Sequence, residues 1–288
     1  MQKIIDKRKK SENLGWRIRC FPYFFLIGFT KCGTTDLFAA LSHVPDIIRP
    51  FAKEAEFWQK YRLTDQIQKD GVILPRPTLG DYLDIYDEAA EHIRQYTIMT
   101  EDGFVYHPGV VGDLDPKTIW WYPNWKSIKG NENRDEPKYL TQHHLYHLSK
   151  EAKFLILLRN PVERTFSHYQ FFAKKRNFTV RPKEFHDQIE RFLQGFQTCF
   201  KEKSIRSCVY QPLVPSKEAS DNLKGSIIGS LYYVFIKDWL SVYPREQFLF
   251  IKSEDYFKNR TATVMEILEF LKLKYDIDVV ESWEISNF

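Results

Sequence analysis

Two stretches of the sequence combine cationic and small polar residues in patterns that suit binding of a phosphorylated ligand. The first, FLIGFTKCGTTDLF, begins at Phe25 and places a lysine and two glycines between an apolar run and helix-forming residues. Gly28 and Gly33 permit a tight turn with inward-pointing N–H groups, and the positive end of a helix starting near Thr34 attracts anionic oxygens. Lys31 adds a full positive charge. The stretch predicts a strand, a phosphate loop and a helix.

The position of the lysine argues against ordinary ATP or GTP chemistry. Nucleoside triphosphatases carry the pattern G-x-x-x-x-G-K-[ST], in which the lysine follows the second glycine. Here Thr34 follows Gly33, and Lys31 lies inside the loop. A phosphate-loop kinase also needs a metal-binding acid at the end of a neighbouring strand, and no convincing candidate follows a strand in this sequence. The kinase interpretation is therefore disfavoured.

The second stretch, KFLILLRNPVERTFSHYQFFAKK, begins at Lys153 and suits recognition of another phosphate. A β-like apolar run from Phe154 to Leu158 meets Arg159, and Pro161 then starts an amphipathic helix. The guanidinium of Arg159 can donate two parallel hydrogen bonds to phosphate oxygens. Ser167 lies eight residues on, about two helical turns away, and can add a hydroxyl. An arginine that caps a sheet edge and a serine with only local bonds remain the structural alternative.

The elements that must position these residues alternate between strands and helices along most of the chain. This alternation, with a phosphate loop at the first turn, predicts an α/β domain with a mostly parallel central sheet flanked by helices. The 288 residues are enough for one substantial core, and we expect a single domain over residues 22–288 after a polar leader, residues 1–22. With 42 basic and 38 acidic residues, the chain is not a polycation that coats nucleic acid.

Both stretches resemble the carbohydrate sulfotransferases, which transfer sulfate from 3′-phosphoadenosine 5′-phosphosulfate (PAPS). The family has [KR]-x-G-T-[TR] after its first strand and R-[DN]-P-x-x-R-x-x-S-x-Y later, and the loop is most similar to the subgroup that sulfates the 6-position of N-acetylgalactosamine 4-sulfate. The resemblance implies the P-loop-type sulfotransferase fold. It also implies that a loop group holds the 5′-phosphosulfate and that a second pair grips the 3′-phosphate. The loop group is Lys31, Cys32, Gly33, Thr34 and Thr35, and the pair is Arg159 and Ser167.

The segment KEAEFW, which begins at Lys53, is similar to the family motif K-E-x-H-[FW]-[FW]. The glutamate of that motif removes the proton from the acceptor hydroxyl, so the resemblance assigns the role of base to Glu54 and a catalytic role beside it to Lys31. Lys53 and Glu56 are expected near the acceptor, although Glu56 stands where the family has histidine. A solvated Lys/Glu turn is the alternative for this segment.

The segment GDLDPKTIW, from Gly112 to Trp120, is similar to the family stretch G-E-x-S-x-x-x-x-W, which lies along the acceptor cleft. The resemblance implies acceptor contacts for Asp113, Asp115 and Trp120. Aspartates replace the glutamate and serine of that pattern, and tryptophan clusters more often pack in cores. Core packing therefore remains the alternative for these three residues.

Cys199 and Cys208 resemble the cysteine pair of the same subgroup, which implies a disulfide; two unpaired loop thiols are the alternative. Sequons at Asn177 and Asn259 fit a lumenal glycoprotein, and the resemblance implies the Golgi lumen or secretory pathway. No signal peptide or membrane span is visible in the sequence. Family members usually have an N-terminal anchor and a basic nucleotide loop near the C-terminus, so we expect a chain truncated within its final segment, from Asp276 to Phe288.

The function that the resemblance implies is PAPS-dependent O-sulfation of a glycosaminoglycan sugar. The 6-position of N-acetylgalactosamine (4-sulfate) in chondroitin or dermatan is the expected acceptor. A non-catalytic relative that binds PAPS or polysaccharide is the alternative. We expect no metal, since the cluster of His143, His144 and His147 lacks partners at ligand spacing, and we expect no nucleic-acid partner.

Overall fold

The computed structural model describes residues 18–63, 65–67, 73–211, 225–275 and 278. Most of the predicted leader, residues 1–17, lies outside the described residues. The same holds for the final segment from Asp276 onward, apart from Asp278.

A five-stranded parallel sheet forms the centre of the protein, as the sequence predicts. Its strands are β1 (Phe24–Gly28), β2 (Ile47–Ile48), β7 (Val110–Leu114), β8 (Lys153–Leu158) and β9 (Phe248–Lys252), in the order β2-β7-β1-β8-β9. Two antiparallel pairs lie apart from this sheet: β3 (Gln66–Ile67) with β4 (Ile73–Leu74), and β5 (Ile98–Met99) with β6 (Val105–Tyr106).

Helices follow most strands of the central sheet. They are α1 (Thr34–Leu41), α2 (Leu79–Leu83), α3 (Asp87–Gln95), α4 (Thr141–Leu148), α5 (Pro161–Arg176), α6 (Pro182–Glu202), α7 (Ile205–Tyr210), α8 (Tyr232–Leu240), α9 (Ser253–Lys258) and α10 (Arg260–Leu271). Asn160 caps α5 by accepting from the N–H groups of Val162 and Glu163, and Pro161 takes the first helical position. The start of the helix predicted from RNP is therefore confirmed.

The core lies around β1 and β8, which occupy neighbouring central positions in the sheet. All five residues of β1 are buried, and so are the four middle residues of β8. Continuous apolar runs are typical of parallel strands covered on both faces. The hydrophobic sequences FFLIG and KFLILL suit the central positions of these two strands.

The carboxyl ends of the parallel strands meet at one edge of the sheet, and the predicted functional residues follow these ends. The phosphate loop follows β1, Asp115 follows β7, and Arg159 follows β8. The segment of Glu54 comes a few residues after β2. Ligands of open α/β sheets bind in the crevice beyond these ends. The fold thus gathers distant sequence motifs into one region.

One prediction about a helix is wrong. The sequence from Gly225 onward predicts one long helix with Ile228, Leu231, Phe235 and Trp239 on one face. The structure instead has a helical turn at residues 225–228 and a break before α8 begins at Tyr232. Gly229 lies in the break, and a Cβ there would approach the Arg164 guanidinium to 2.9 Å. The close approach of that buried side chain leaves room only for glycine at this position.

Candidate active site

The phosphate loop connects β1 to α1 in a conformation that leaves the start of the helix open. Lys31 and Gly33 have φ angles of +68° and +91°, and Gly33 takes the N-cap position without a side-chain cap. A Cβ at Gly33 would lie 2.8 Å from the ring of Phe257. The first N–H groups of a helix have no intrahelical acceptor. They therefore suit a phosphate or sulfate oxygen at this end of α1.

Lys31 lies beside helix α5. Its ammonium group is 4.7 Å from the centre of the Phe171 ring, a cation–π contact. Burial and then the charge of Arg159 lower the pKa of Lys31. A half-buried ammonium group next to a second cation is a strong attraction for a multiply charged anion.

A buried arginine on α5 forms hydrogen bonds to the phosphate loop. Arg164 is 0% exposed and donates to the carbonyl of Thr30 at 2.9 Å and to its hydroxyl at 3.1 Å. The same guanidinium donates to Ser230 Oγ at 3.0 Å and to the carbonyl oxygen of Ser226. Arg164 therefore joins the loop to the segment that precedes α8.

Helices α9 and α10 support the other side of the loop. Ser253 Oγ donates to the carbonyl of Cys32 at 2.7 Å. In the first turn of α1, Asp36 accepts from Tyr256 at 2.5 Å and pairs with Arg260 at 3.1 Å. The acidic side chain nearest the helix start is thus matched by a cation, which limits its repulsion of a bound anion.

Arg159 lies beside the phosphate loop, as its placement after β8 predicts. Its guanidinium is 3.4 Å from the carbonyl oxygen of Lys31 and 3.3 Å from the Glu163 carboxylate. Ser167 is half-buried on the same helix. The structure thus brings Arg159 next to the loop, while the contact of Arg159 and Ser167 with a 3′-phosphate stays a prediction.

Lys53 connects the segment of Glu54 to the start of α1. Its ammonium group donates to Thr35 Oγ1 at 2.6 Å and lies 3.2 Å from Glu54 Oε1. The side chain of Glu54 is 39% exposed, so the carboxylate is open to a substrate. The base role of Glu54 stays a prediction, and an exposed carboxylate near the loop is compatible with it.

Glu56 is held by two lysines. Lys117 Nζ donates to Glu56 Oε1, and Lys60 Nζ lies 3.2 Å from Oε2. Burial opposes ionisation of Glu56, but the hydrogen bonds and charges of Lys117 and Lys60 outweigh it and lower the pKa. Glu56 is therefore an ionised, paired carboxylate, and the acceptor contact predicted for it stays a prediction.

Asp113 and Asp115 lie inside the protein, 6% and 3% exposed. Asp113 Oδ2 accepts a short hydrogen bond from the Tyr82 hydroxyl. Asp115 Oδ2 accepts from the backbone N–H of Glu56 and from the Gln59 amide, each at 2.8 Å. Because their oxygens are engaged by the protein, this geometry favours support of the site over the direct acceptor contact predicted for both residues.

Trp120 packs in the same region. It is 6% exposed, and its indole N–H donates to the Pro116 carbonyl at 3.2 Å. The ring makes an edge-to-face contact with Trp121. This environment agrees with the packing alternative, and the acceptor contact of Trp120 stays a prediction.

Burial raises the pKa of Asp113 to about 6, against the hydrogen bonds of Tyr82 and Tyr86. Between about pH 4 and pH 6, Asp113 is protonated in the folded state and ionised in the unfolded state. The free energy of unfolding therefore falls as pH rises through this range. We expect the free energy of unfolding of the wild type, minus that of Asp113→Asn, to fall by about 1 kcal/mol per pH unit in that window. Denaturant titrations at several pH values measure this difference.

The matched control for this prediction is Asp102→Asn, which removes an exposed carboxyl from the β5–β6 turn. Its difference from the wild type should change little with pH. A flat difference for Asp113→Asn would mean that burial does not penalise the ionised Asp113.

Three residues near the site were not predicted from the sequence. Arg164 is part of the R-x-x-S pattern, but the pattern does not indicate that its side chain is buried. Lys117 carries no motif, and its partner Glu56 is 61 residues away. His168, next to Ser167, has a pKa lowered to about 3 by burial and then by the charges of Arg164, Lys31 and Lys117. Its Nδ1 is buried without a hydrogen-bond partner among the described residues.

The structure contains the predicted disulfide between Cys199 and Cys208. It joins the last turn of α6 to α7. Cys20 and Cys32 are free, and Cys32 is buried.

A parallel sheet with a phosphate loop after its central strand, and an arginine after the adjacent strand, defines a phosphate-binding α/β protein. The sequence pattern of the family described as Sulfotransferase domain matches residues 22–288. The chain therefore belongs to the sulfotransferase domain family, and the family recognised from the two motifs is confirmed.

Relatives and a solved structure agree with this assignment. Carbohydrate sulfotransferase 15 of Rattus norvegicus is 33% identical over 260 residues, and the Homo sapiens protein of that name is 32% identical; each match covers 90% of this chain. The chain spans only 45% of the length of these relatives. A crystal structure of a sulfotransferase from Alicyclobacillus acidocaldarius matches with a TM-score of 0.53 and 26% identity, covering 90% of this chain and 85% of that one.

Within the described part of the chain, no helix is both long and apolar enough to cross a bilayer. In the same residues, no group of three or more His, Cys, Asp or Glu side chains has the arrangement of a metal site.

Proposed function

We propose that the protein transfers sulfate from PAPS to a hydroxyl of a glycosaminoglycan sugar. The observation that carries this proposal is the meeting of three groups at one sheet edge: the open phosphate loop, Arg159 beside it, and Glu54 linked to it through Lys53 and Thr35. A donor with two phosphate positions and an acceptor hydroxyl need such an arrangement. Membership of the sulfotransferase family supports the same reaction.

The nucleotide site consists of the loop and the start of α5. Lys31, the N–H groups at the start of α1, and the threonines Thr34 and Thr35 suit the 5′-phosphosulfate. Arg159 and Ser167 suit the 3′-phosphate, since a guanidinium forms charge-assisted bonds to phosphate oxygens. These residues meet the requirements of PAPS, and the proposed chemistry uses no metal.

In the proposed reaction Glu54 takes the proton of the acceptor hydroxyl, and the hydroxyl oxygen forms a bond to sulfur. The bond from sulfur to the phosphate oxygen breaks, and adenosine 3′,5′-bisphosphate leaves. Lys31 and the loop N–H groups stabilise the negative charge that grows on the leaving phosphate. General-base help contributes ~10²–10⁴-fold, and one well-placed donor ~10²–10³-fold.

The acceptor we propose is chondroitin or dermatan, at the 6-position of N-acetylgalactosamine (4-sulfate). The similarity to carbohydrate sulfotransferase 15 supports a carbohydrate acceptor. We also propose a place in the Golgi lumen or secretory pathway. A disulfide is typical of an oxidising compartment, and the Asn177 sequon is exposed.

The test is transfer of radiolabelled sulfate from PAPS to a panel of glycosaminoglycans, with desulfated and 4-sulfated chondroitin compared directly. Transfer to chondroitin supports the proposal, and mapping of the product gives the position. Binding of adenosine 3′,5′-bisphosphate without transfer to any polymer would instead identify a non-catalytic PAPS-binding relative. Preference for ATP over adenosine 3′,5′-bisphosphate would overturn the proposed donor.

The grip on the 3′-phosphate gives a separate prediction. Arg159→Ala should weaken adenosine 3′,5′-bisphosphate binding by ~1.5–3 kcal/mol, or roughly 10- to 150-fold, because a charge-assisted hydrogen-bond donor is lost. Binding of 5′-AMP, which lacks the 3′-phosphate, should change little. Isothermal titration of both ligands measures the difference.

Arg181→Ala is the control for this experiment, since Arg181 is exposed and forms an ion pair with Glu184, three residues away. It should leave both affinities unchanged. Equal losses of the two ligands in Arg159→Ala would contradict the 3′-phosphate assignment.

A further inference from the structure

The Glu54 loop, defined here as residues 53–56, has no regular secondary structure, yet it must hold the proposed base in place. From its contacts we infer that Asp115 is a positioning residue that fixes the Glu54 loop to the end of β7. This inference rests on the function proposed above for Glu54. Asp115 is too deeply buried to meet an acceptor itself, so it would act only through the loop.

The Asp115 carboxylate accepts three hydrogen bonds from protein donors. Oδ2 accepts from the Glu56 N–H and from Gln59 Nε2, both at 2.8 Å, and Oδ1 accepts from the Lys117 N–H at 3.1 Å. All three partners are donors, so an ionised carboxylate satisfies them and a neutral side chain cannot satisfy all of them. The charge is therefore part of the contact.

The backbone of the loop needs this support. Glu54 and Glu56 have φ angles of +55° and +52°. Residues other than glycine adopt such angles only where surrounding contacts hold them. Two contacts hold these residues on the same strand end: the Glu54 N–H donates to the Leu114 carbonyl at 2.8 Å, and the Glu56 N–H donates to Asp115.

Side chains fix the direction of the loop as well. Lys117, whose N–H donates to Asp115, also donates from Nζ to the Glu56 carboxylate. Asp115 and Lys117 thus bind Glu56 at both its backbone and its side chain. Glu54 is left with its carboxylate beside Lys53, on the side of the phosphate loop. The result is one glutamate that anchors the loop and one that is open to substrate.

The first test uses Asp115→Asn at about pH 8, above the pKa of about 7 to which burial chiefly raises Asp115. Asparagine keeps the shape but presents an NH₂ group to one of the three donors. Hydrogen exchange should become about 10-fold faster at residues 54–56, because the acceptor of the Glu56 N–H loses its charge and the hydrogen bond weakens. Exchange in the phosphate loop, residues 29–35, should stay unchanged. Unchanged exchange at residues 54–56 would overturn the inference, whether or not the protein is active.

The second test is kinetic. Asp115→Asn should lower kcat by about 10- to 100-fold, the effect of a misplaced catalytic group, while its affinity for adenosine 3′,5′-bisphosphate stays near that of the wild type. In a Glu54→Gln background, the same substitution should add little, since Asp115 acts through Glu54. Full additivity of the two losses would overturn the inference.

Asp238→Asn is the matched control. Asp238 is also a well-covered carboxylate, bound to Arg206 and Tyr210, but these partners lie on α7 and not in the Glu54 loop. It should lower the melting temperature without changing kcat or exchange at residues 54–56. If Asp115→Asn lowers stability and nucleotide affinity in the same proportion as kcat, its role is general and the inference is wrong.

The outcomes separate this inference from the proposed function. Loss of transfer in Glu54→Gln with normal turnover in Asp115→Asn overturns the role of Asp115 and leaves the base assignment intact. Normal transfer in Glu54→Gln overturns the base assignment, while the exchange experiment still decides whether Asp115 holds the loop.

Discussion

Glu54→Gln should lower sulfate transfer by about 10²- to 10⁴-fold and leave the affinity for adenosine 3′,5′-bisphosphate nearly unchanged. The amide has the shape of the carboxylate but cannot take the proton of the acceptor hydroxyl. The half-open position of Glu54 beside Lys53 can accept the amide without repacking. Turnover with saturating PAPS and chondroitin, together with titration of the product nucleotide, measures the two effects separately.

The control is Glu101→Gln, which changes an exposed glutamate in the β5–β6 turn. It should behave as the wild type. If Glu54→Gln keeps more than about a tenth of wild-type turnover, the loss is smaller than general-base catalysis normally supplies, and Glu54 is not the base.

Lys31→Ala should lower kcat/KM for PAPS by about 10²- to 10³-fold, the cost of losing one preorganised donor at the developing charge. Binding of adenosine 3′,5′-bisphosphate, the product nucleotide, should fall much less. It lacks the sulfuryl group on whose transfer the charge develops, and it keeps its proposed contacts to the loop N–H groups and Arg159. The substitution adds little backbone strain, since lysine and alanine share the same difficulty at φ +68°.

Lys174→Ala is the control, because it removes an exposed lysine near the end of α5. It should leave kcat/KM unchanged. Equal losses of PAPS turnover and product binding in Lys31→Ala would show that Lys31 contributes uniform binding and no specific stabilisation of the transition state.

The sequence predicted well those parts of the site in which local chemistry decides the structure. The loop around Lys31 and Gly33 reads as strand, turn and helix because glycine spacing and apolar runs act over a few residues. Arg159 could be placed because Pro161 and Asn160 mark the start of α5. In both places the local signals and the fold agree, and the parallel sheet then brings the strand ends together.

Contacts between distant segments were not predictable in the same way. The sequence shows Asp113 and Asp115 only as acidic residues in a motif similar to that of the family, and their hydrogen-bond partners Tyr82 and Gln59 lie at least 31 residues away. The need for glycine at position 229, beside the break, comes from a guanidinium on α5. Tertiary packing decides which distant residues meet, and the short-range periodicity of the sequence carries no information about it.

The buried Arg164 has a consequence for how the protein attracts its ligands. Among the described residues, its hydrogen-bond acceptors are carbonyl and hydroxyl oxygens of Thr30, Ser226 and Ser230, none of which carries a formal charge. A guanidinium stays protonated even when burial lowers its pKa. The electrostatic field of Arg164 therefore reaches the phosphate loop through the protein interior. It does not pass through solvent, where mobile ions would weaken it. Long-range guidance of an anion by surface lysines fades in salt, whereas this permanent positive potential persists.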